Sequence, residues 1–164
     1  MLVVRALSDG EANPLFKQFF QEFVSYYNEH NRIKTRPYEQ VLETTKALYE
    51  MGIKMAIVTN KGQTASDSLA EDYFPYIHVT VGDDGKHKRK PDSEPIDIAL
   101  QRLGVKDKSH VLYVGDSEVD ATTAENSSLD YVLCTYGFRD MNTLGKFNPI
   151  AFIDIITRLL DLVQ

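Results

Sequence analysis

His110-Val111-Leu112-Tyr113-Val114-Gly115-Asp116-Ser117-Glu118-Val119-Asp120 changes chemistry at its middle. The first five residues read as a short strand whose apolar positions are consecutive rather than alternating, the pattern of a strand covered on both faces. After Gly115 the chain turns acidic, and the spacing predicts a helix from about Val119 to Glu125. A strand that passes directly into a helix is half of a β-α-β unit, and parallel sheets bind ligands outside the carboxyl ends of their strands. Asp116 lies at such a tip and Asp120 in the first helical turn, so the two carboxylates can converge on one point. Hard oxygen ligands of this kind suit Mg²⁺, which takes one or two carboxylates and completes its shell with water and phosphate. Helix capping alone would also account for both acids, since acidic groups are favourable at a helix N-terminus.

The same alternation extends in both directions. Lys54–Thr59, Ile77–Val81 and Tyr131–Thr135 read as three further strands. Between them, Thr64–Asp72 and Pro95–Leu103 have helical patterns, the second stopped by Gly104. A helix through Val41, Leu42, Thr45 and Leu48, stopped by Gly52, precedes the first strand. Strands alternating with helices predict an α/β fold: a three-layer, Rossmann-like parallel sheet. Beyond Asn148-Pro149 the apolar residues fit either a short strand plus a helix or a single helix.

The first 35 residues differ in kind. Pro14 stands at a plausible first helical position after Asn13, a good N-cap. From there Leu15, Phe16, Phe19, Phe20, Phe23, Val24 and Tyr27 recur at three- and four-residue spacing, giving an aromatic-faced helix that ends near Asn28 to His30. Core packing is the expected use of that face. Residues 1–35 are therefore expected to form a separate helical piece, joined through Asn31 to Pro37 to an α/β domain over 36–164.

Composition excludes several classes. The 164 residues are 43% hydrophobic and 26% charged, which fits one folded globular domain rather than a disordered chain. With 18 Lys and Arg against 24 Asp and Glu, the net charge of −6 makes a poor general partner for nucleic acid or anionic membrane. The one cysteine, Cys134, cannot form an internal disulfide, which points to a reducing, cytoplasmic setting. No apolar run approaches the roughly 20 residues that span a bilayer, and Met1 to Leu7 lacks the pattern of a signal peptide.

The other strand tips carry complementary chemistry. The first strand ends in Thr59-Asn60-Lys61-Gly62, which offers a hydroxyl and an amide at the strand tip just before a helix, a natural anion cradle as well as an ordinary cap. After the second comes Gly82-Asp83-Asp84-Gly85-Lys86-His87-Lys88-Arg89-Lys90-Pro91. Its basic run could be a nuclear-localisation or nucleic-acid patch. In an acidic chain with Asp83 and Asp84 alongside, the expectation is instead that most of these charges are solvated and one reaches the site. Lys90 is the candidate, because Pro91 stiffens the backbone beside it. A hydroxyl, a lysine and an acidic pair on one sheet edge describe a phosphate-and-metal site.

Taken together, these stretches resemble the haloacid dehalogenase superfamily and, within it, phosphoglycolate phosphatase-like hydrolases. Val58-Thr59-Asn60-Lys61 is similar to the family's second motif, Lys90-Pro91-Asp92-Ser93-Glu94-Pro95 to its third, and Val114 to Asp120 to its fourth. Tyr136-Gly137-Phe138-Arg139 resembles the segment after the last core strand in the phosphoglycolate branch. Ser93 stands where the family often has proline. The family's first motif, Asp-x-Asp on the central strand, supplies nucleophile and general acid/base, and this sequence has no Asp-x-Asp; Asp9-Gly10-Glu11 is the nearest approach and follows no strand.

The resemblance implies a HAD-like core with a partial helical cap, the chain beginning inside the cap. It implies Mg²⁺-dependent phosphomonoester hydrolysis through an aspartyl-phosphate. Thr59 would bond the transferring phosphoryl group, with Asn60 beside it, and Lys90 would balance charge. Asp116 would ligate Mg²⁺, with Asp120 in its first or second coordination shell. The partner would be a small phosphorylated metabolite, with specificity set largely by the cap. Without the first motif, the chain alone is expected to be inactive, and its unpaired strand edges would favour a homodimer or strand-swapped oligomer. Two other readings stand beside it. One is a non-catalytic remnant that binds phosphate or a protein partner. The other is a receiver-like domain, which needs an acidic cluster after an early strand that this chain lacks.

Overall fold

The computed structural model describes residues 2–163, which form two compact units, one ending at Arg36 and one beginning at Pro37. The first unit contains α1 (Leu2–Ala6), a 3-10 turn (Gly10–Ala12) and α2 (Phe16–His30). Helix α2 starts two residues later than Pro14, with Leu15 at its N-cap and no side-chain cap. Asn13 instead closes a turn before the helix, accepting from the Leu15 N–H at 2.9 Å and donating to the Ser8 carbonyl at 3.0 Å. The expected core face is not enclosed, since no residue of α2 is buried. Phe16 stacks on Phe20 and Phe23 on Tyr27, with ring centroids 5.8 and 5.9 Å apart. One five-residue helix and a turn are too little protein to cover that face within the unit.

The second unit opens with α3 (Val41–Glu50) and continues as β1 (Ala56–Gly62), α4 (Gln63–Tyr73), β2 (Val79–Asp83) and α5 (Glu94–Leu103). Then follow β3 (Leu112–Gly115), α6 (Glu118–Asn126), β4 (Asp130–Cys134) and α7 (Met141–Leu144). The chain closes with β5 (Ala151–Ile153), a 3-10 turn and α8 (Leu159–Leu162), so the ambiguous last stretch is a short strand plus a helix. Gly104 ends α5 with φ of +69°, the left-handed stop expected of it.

All pairing is parallel, in two ladders: β1 with β2, and β3-β4-β5. Side chains along β4 alternate between two cores, as the pleat requires. Tyr131 and Leu133 pack with Ala121 and Ala124 of α6 and Leu144 of α7, while Val132 and Cys134 pack with Ile153 of β5 and Leu159 of α8. Helices thus cover both faces, giving three layers.

Among the described residues no ladder joins β1 to β3. Val58 of β1 and Tyr113 of β3 nevertheless pack against one cluster, formed by Ile96 and Leu100 of α5 with Leu129. One helix therefore underlies both ladders, and the unpaired edges of β1 and β3 flank a break in the sheet. The flanking strands show it: Ala56 to Thr59 are only half-buried and Val114 is 36% exposed, against 0% for Val132 and Leu133 in β4. Among the described residues no helix is long and apolar enough to cross a membrane.

Candidate active site

Lys90 and the acidic pair come together. The Lys90 ammonium donates to Asp120 Oδ1 at 2.7 Å and to the Tyr113 hydroxyl at 3.1 Å, and Tyr113 donates to the same Oδ1 at 3.1 Å. The other carboxylate oxygen of Asp120 accepts from the Ser117 hydroxyl and from the Asp116 N–H at 3.3 Å. Burial alone would raise the Asp120 pKa, but the Lys90 charge, with the hydrogen bonds from Lys90, Ser117 and the Asp116 amide, outweighs it and holds the group below its ordinary value. Tyr113 is pushed strongly upward by burial and then by the charge of Asp120, so its hydroxyl stays a donor.

Local sequence explains how these groups are placed. Ser117 caps α6 by accepting from the Asp120 N–H, which fixes Asp120 in the first turn, facing back toward the strand tip. Gly115 is required there, because a Cβ on it would overlap the Asp120 side chain. Lys90 is held from β1: Asn60 Nδ2 donates to the Lys90 carbonyl and the Lys90 N–H donates to Asn60 Oδ1, both at 2.9 Å. The Lys90-Pro91 peptide is cis. The rest of the basic run lies in solvent, paired locally as Lys88 with Asp92, Arg89 with Asp83 and His87 with Asp84.

The other predicted residues lie nearby in different roles. Thr59 lies in β1 as expected, but the strand runs three residues past it, to Gly62, across an irregular register, and its hydroxyl accepts from the Lys61 N–H at 3.1 Å. Both ends of the Asn60 amide are engaged with the Lys90 backbone. Asp116 is half-buried; its Oδ2 accepts from the Phe138 N–H at 3.2 Å, and its Oδ1 makes no hydrogen bond among the described residues. Tyr113, Ser117 and the Phe138 amide were not singled out from sequence. Tyr113 reads as one more apolar strand residue, and an amide donor leaves no side-chain signal; the glycine at 137, which allows a close backbone approach, is the signal that could have found it.

The donor set fits a small hard cation in a limited way. Asp116 offers an unengaged carboxylate oxygen at the tip of β3, whereas all four bonds accepted by Asp120 are internal. Among the described residues no cluster of three or more His, Cys, Asp or Glu is present. Asp116 is therefore the direct ligand available and Asp120 the group that orients its surroundings, an arrangement compatible with a hydrated Mg²⁺.

Known proteins resemble this chain in both sequence and fold. The chain is 37% identical over 140 residues to the phosphoglycolate phosphatase of Rhodobacter capsulatus, covering 84% of this chain and 62% of that protein. It is 33% identical over 152 residues to the pyrophosphatase PpaX of Halalkalibacterium halodurans, covering 87% and 69%. The crystal structure of a candidate phosphoglycolate phosphatase from Lactobacillus delbrueckii subsp. bulgaricus superposes with a TM-score of 0.85 at 30% identity, covering 96% of this chain and 66% of the other. The chain thus spans about two-thirds of the length of these proteins, and less than that of the first. The haloacid dehalogenase-like hydrolase model matches residues 5–134, the stretch that carries Thr59, Lys90, Asp116 and Asp120, and the chain belongs to that family.

Proposed function

We propose that this chain carries the phosphate- and metal-binding half of a Mg²⁺-dependent phosphatase of the phosphoglycolate phosphatase type. The observation that carries the reading is the convergence of Lys90, from the loop after β2, with Asp120 beside Asp116 at the carboxyl end of β3, across the break in the sheet. In the site, Thr59 bonds a phosphoryl oxygen and Lys90 neutralises developing negative charge, with Asn60 and Asp120 holding Lys90 from both ends. Asp116 would hold Mg²⁺, which when bound neutralises phosphate charge and orients the phosphoryl group. Positioning and electrostatics supply most of the catalysis in phosphoryl transfer.

The covalent step needs an aspartate nucleophile, and no Asp-x-Asp occurs in this sequence. We place that motif on a strand between β1 and β3, where both edges are unpaired, and read Met1–Arg36 as part of a helical cap. The chain by itself is then inactive. The substrate is a small phosphorylated metabolite; the relatives differ in theirs, since one is a phosphoglycolate phosphatase and another a pyrophosphatase.

The test is hydrolysis of p-nitrophenyl phosphate with Mg²⁺, by this chain and by the chain preceded by a segment bearing a strand that ends in Asp-x-Asp. Turnover only in the extended protein, lost in its Asp116→Asn variant, is the expected result. Inertness of both would favour the second reading, a remnant that binds phosphate or a protein partner through the open edges of β1 and β3.

A further inference from the structure

The segment after β4 is bound to the Asp116 loop by three successive residues, each in a different way. A Cβ on Gly137 would overlap Cβ, Cγ and Oδ2 of Asp116, so the backbone at 137 lies flat against that side chain. The next N–H, from Phe138, donates to Asp116 Oδ2 at 3.2 Å. Arg139 then forms a two-pronged pair with Glu118, Nε to Oε2 at 2.6 Å and Nη2 to Oε1 at 2.9 Å. That pair holds the Glu118 pKa below its ordinary value through the Arg139 hydrogen bonds.

We propose that Gly137, Phe138 and Arg139 act as a positioning clamp that fixes the Asp116 carboxylate for cation binding. This inference rests on the assignment of Asp116 as the Mg²⁺ ligand. The three contacts divide the work. Gly137 leaves the volume that the carboxylate occupies. The Phe138 amide engages Oδ2, and Oδ1 makes no hydrogen bond among the described residues. The Arg139–Glu118 pair ties the loop after β4 to the first residue of α6, so the amide and the carboxylate keep their separation. Arg suits that last task because its planar fork fixes direction as well as distance. The Phe138 side chain takes no part: it is 88% exposed, and only its backbone N–H is used.

The clamp thus makes a distinction that general loop stability would not. Removing the Phe138 side chain should be silent, whereas removing its N–H should not be. Groups that orient a metal ligand from behind typically contribute about 10- to 100-fold to metal affinity.

The experiment is titration of the 164-residue chain with Mn²⁺ as a spectroscopic substitute for Mg²⁺, read by the electron paramagnetic resonance of the free ion, with thermal melts run in parallel. Gly137→Ala and Phe138→Pro are expected to weaken Mn²⁺ binding about 10-fold and Arg139→Gln by less, while Phe138→Ala binds as the parent does. Arg139→Gln lies on the surface and keeps the test available if either backbone variant fails to fold. If the parent and Asp116→Asn bind Mn²⁺ equally, or neither binds, the metal assignment itself falls. If Asp116→Asn loses binding but all three clamp variants bind like the parent, the assignment stands and the clamp is overturned. Equal losses in Phe138→Ala and Phe138→Pro would also overturn it.

Discussion

Lys90 and Asp120 stand 30 residues apart in sequence, yet their charged groups meet at 2.7 Å with side chains only 11% and 10% exposed. The pair joins the loop after β2 to the first turn of α6, across the break between the two ladders. A buried ion pair persists only when its remaining hydrogen-bonding capacity is satisfied, and Tyr113, Ser117 and the Asp116 amide do that here.

Breaking the pair from one side should therefore be costly. Lys90→Met leaves Asp120 buried without its cation and should lose about 3 kcal/mol or more of unfolding free energy. The double variant Lys90→Met/Asp120→Leu should recover part of that loss. Urea denaturation of the two single variants and the double variant measures the coupling; simple additivity would show that the two groups do not interact.

The same pair sets an acid limit. The Asp120 pKa in the folded chain lies below its ordinary 3.8, so the carboxylate's contribution is fully present above that value. It is lost as pH falls through the lower folded-state value. The parent's urea midpoint should fall on acidification below about pH 4 more steeply than that of Asp120→Asn. Parallel curves would remove Asp120 as the source.

Ser117 does two things, capping α6 and donating to Asp120 Oδ2. Ser117→Ala should cost more than the roughly 1 kcal/mol of an ordinary N-cap, because it also leaves a buried carboxylate oxygen with one fewer donor. Ser117→Thr, which keeps the hydroxyl, should restore most of the difference. A loss of 1 kcal/mol or less in the alanine variant would reduce Ser117 to a plain cap.

The open edges of β1 and β3 make a prediction about association. Parallel strands with unpaired N–H and C=O groups recruit other chains, and Val114 on β3 is 36% exposed. Light scattering behind size exclusion should show a mass that rises with concentration, and Val114→Lys should shift it toward the monomer. A monomer at all concentrations would mean that the edges are not adhesive in solution.

The sequence made the order of elements legible because most strands hold a short apolar run and two helices carry a glycine stop, Gly52 and Gly104. Lys90, Asp116 and Asp120 could be found because each follows a strand. Other features depend on contacts between distant segments. β1 continues through Asn60-Lys61-Gly62, poor strand formers, because Gly62 pairs with Asp83 and Asn60 locks onto Lys90. Asn13 looks like a cap and closes a turn instead, a choice that local chemistry leaves open. Tyr113 could not be separated from its apolar neighbours until Lys90 was seen beside its hydroxyl. The face of α2 predicts burial, but what covers an apolar stripe is decided by the rest of the protein and not by the stripe.

If Lys90 and Asp116 belong to one phosphate-and-metal site, calorimetric titration of inorganic phosphate into the chain with and without Mg²⁺ will register both residues. The expected result is saturable binding that Mg²⁺ strengthens, with Lys90→Met weakening it about 10-fold, one lost charge-assisted contact, and Asp116→Asn abolishing the Mg²⁺ effect. Phosphate binding of equal strength in the parent and both variants, or none in any of them, would contradict it.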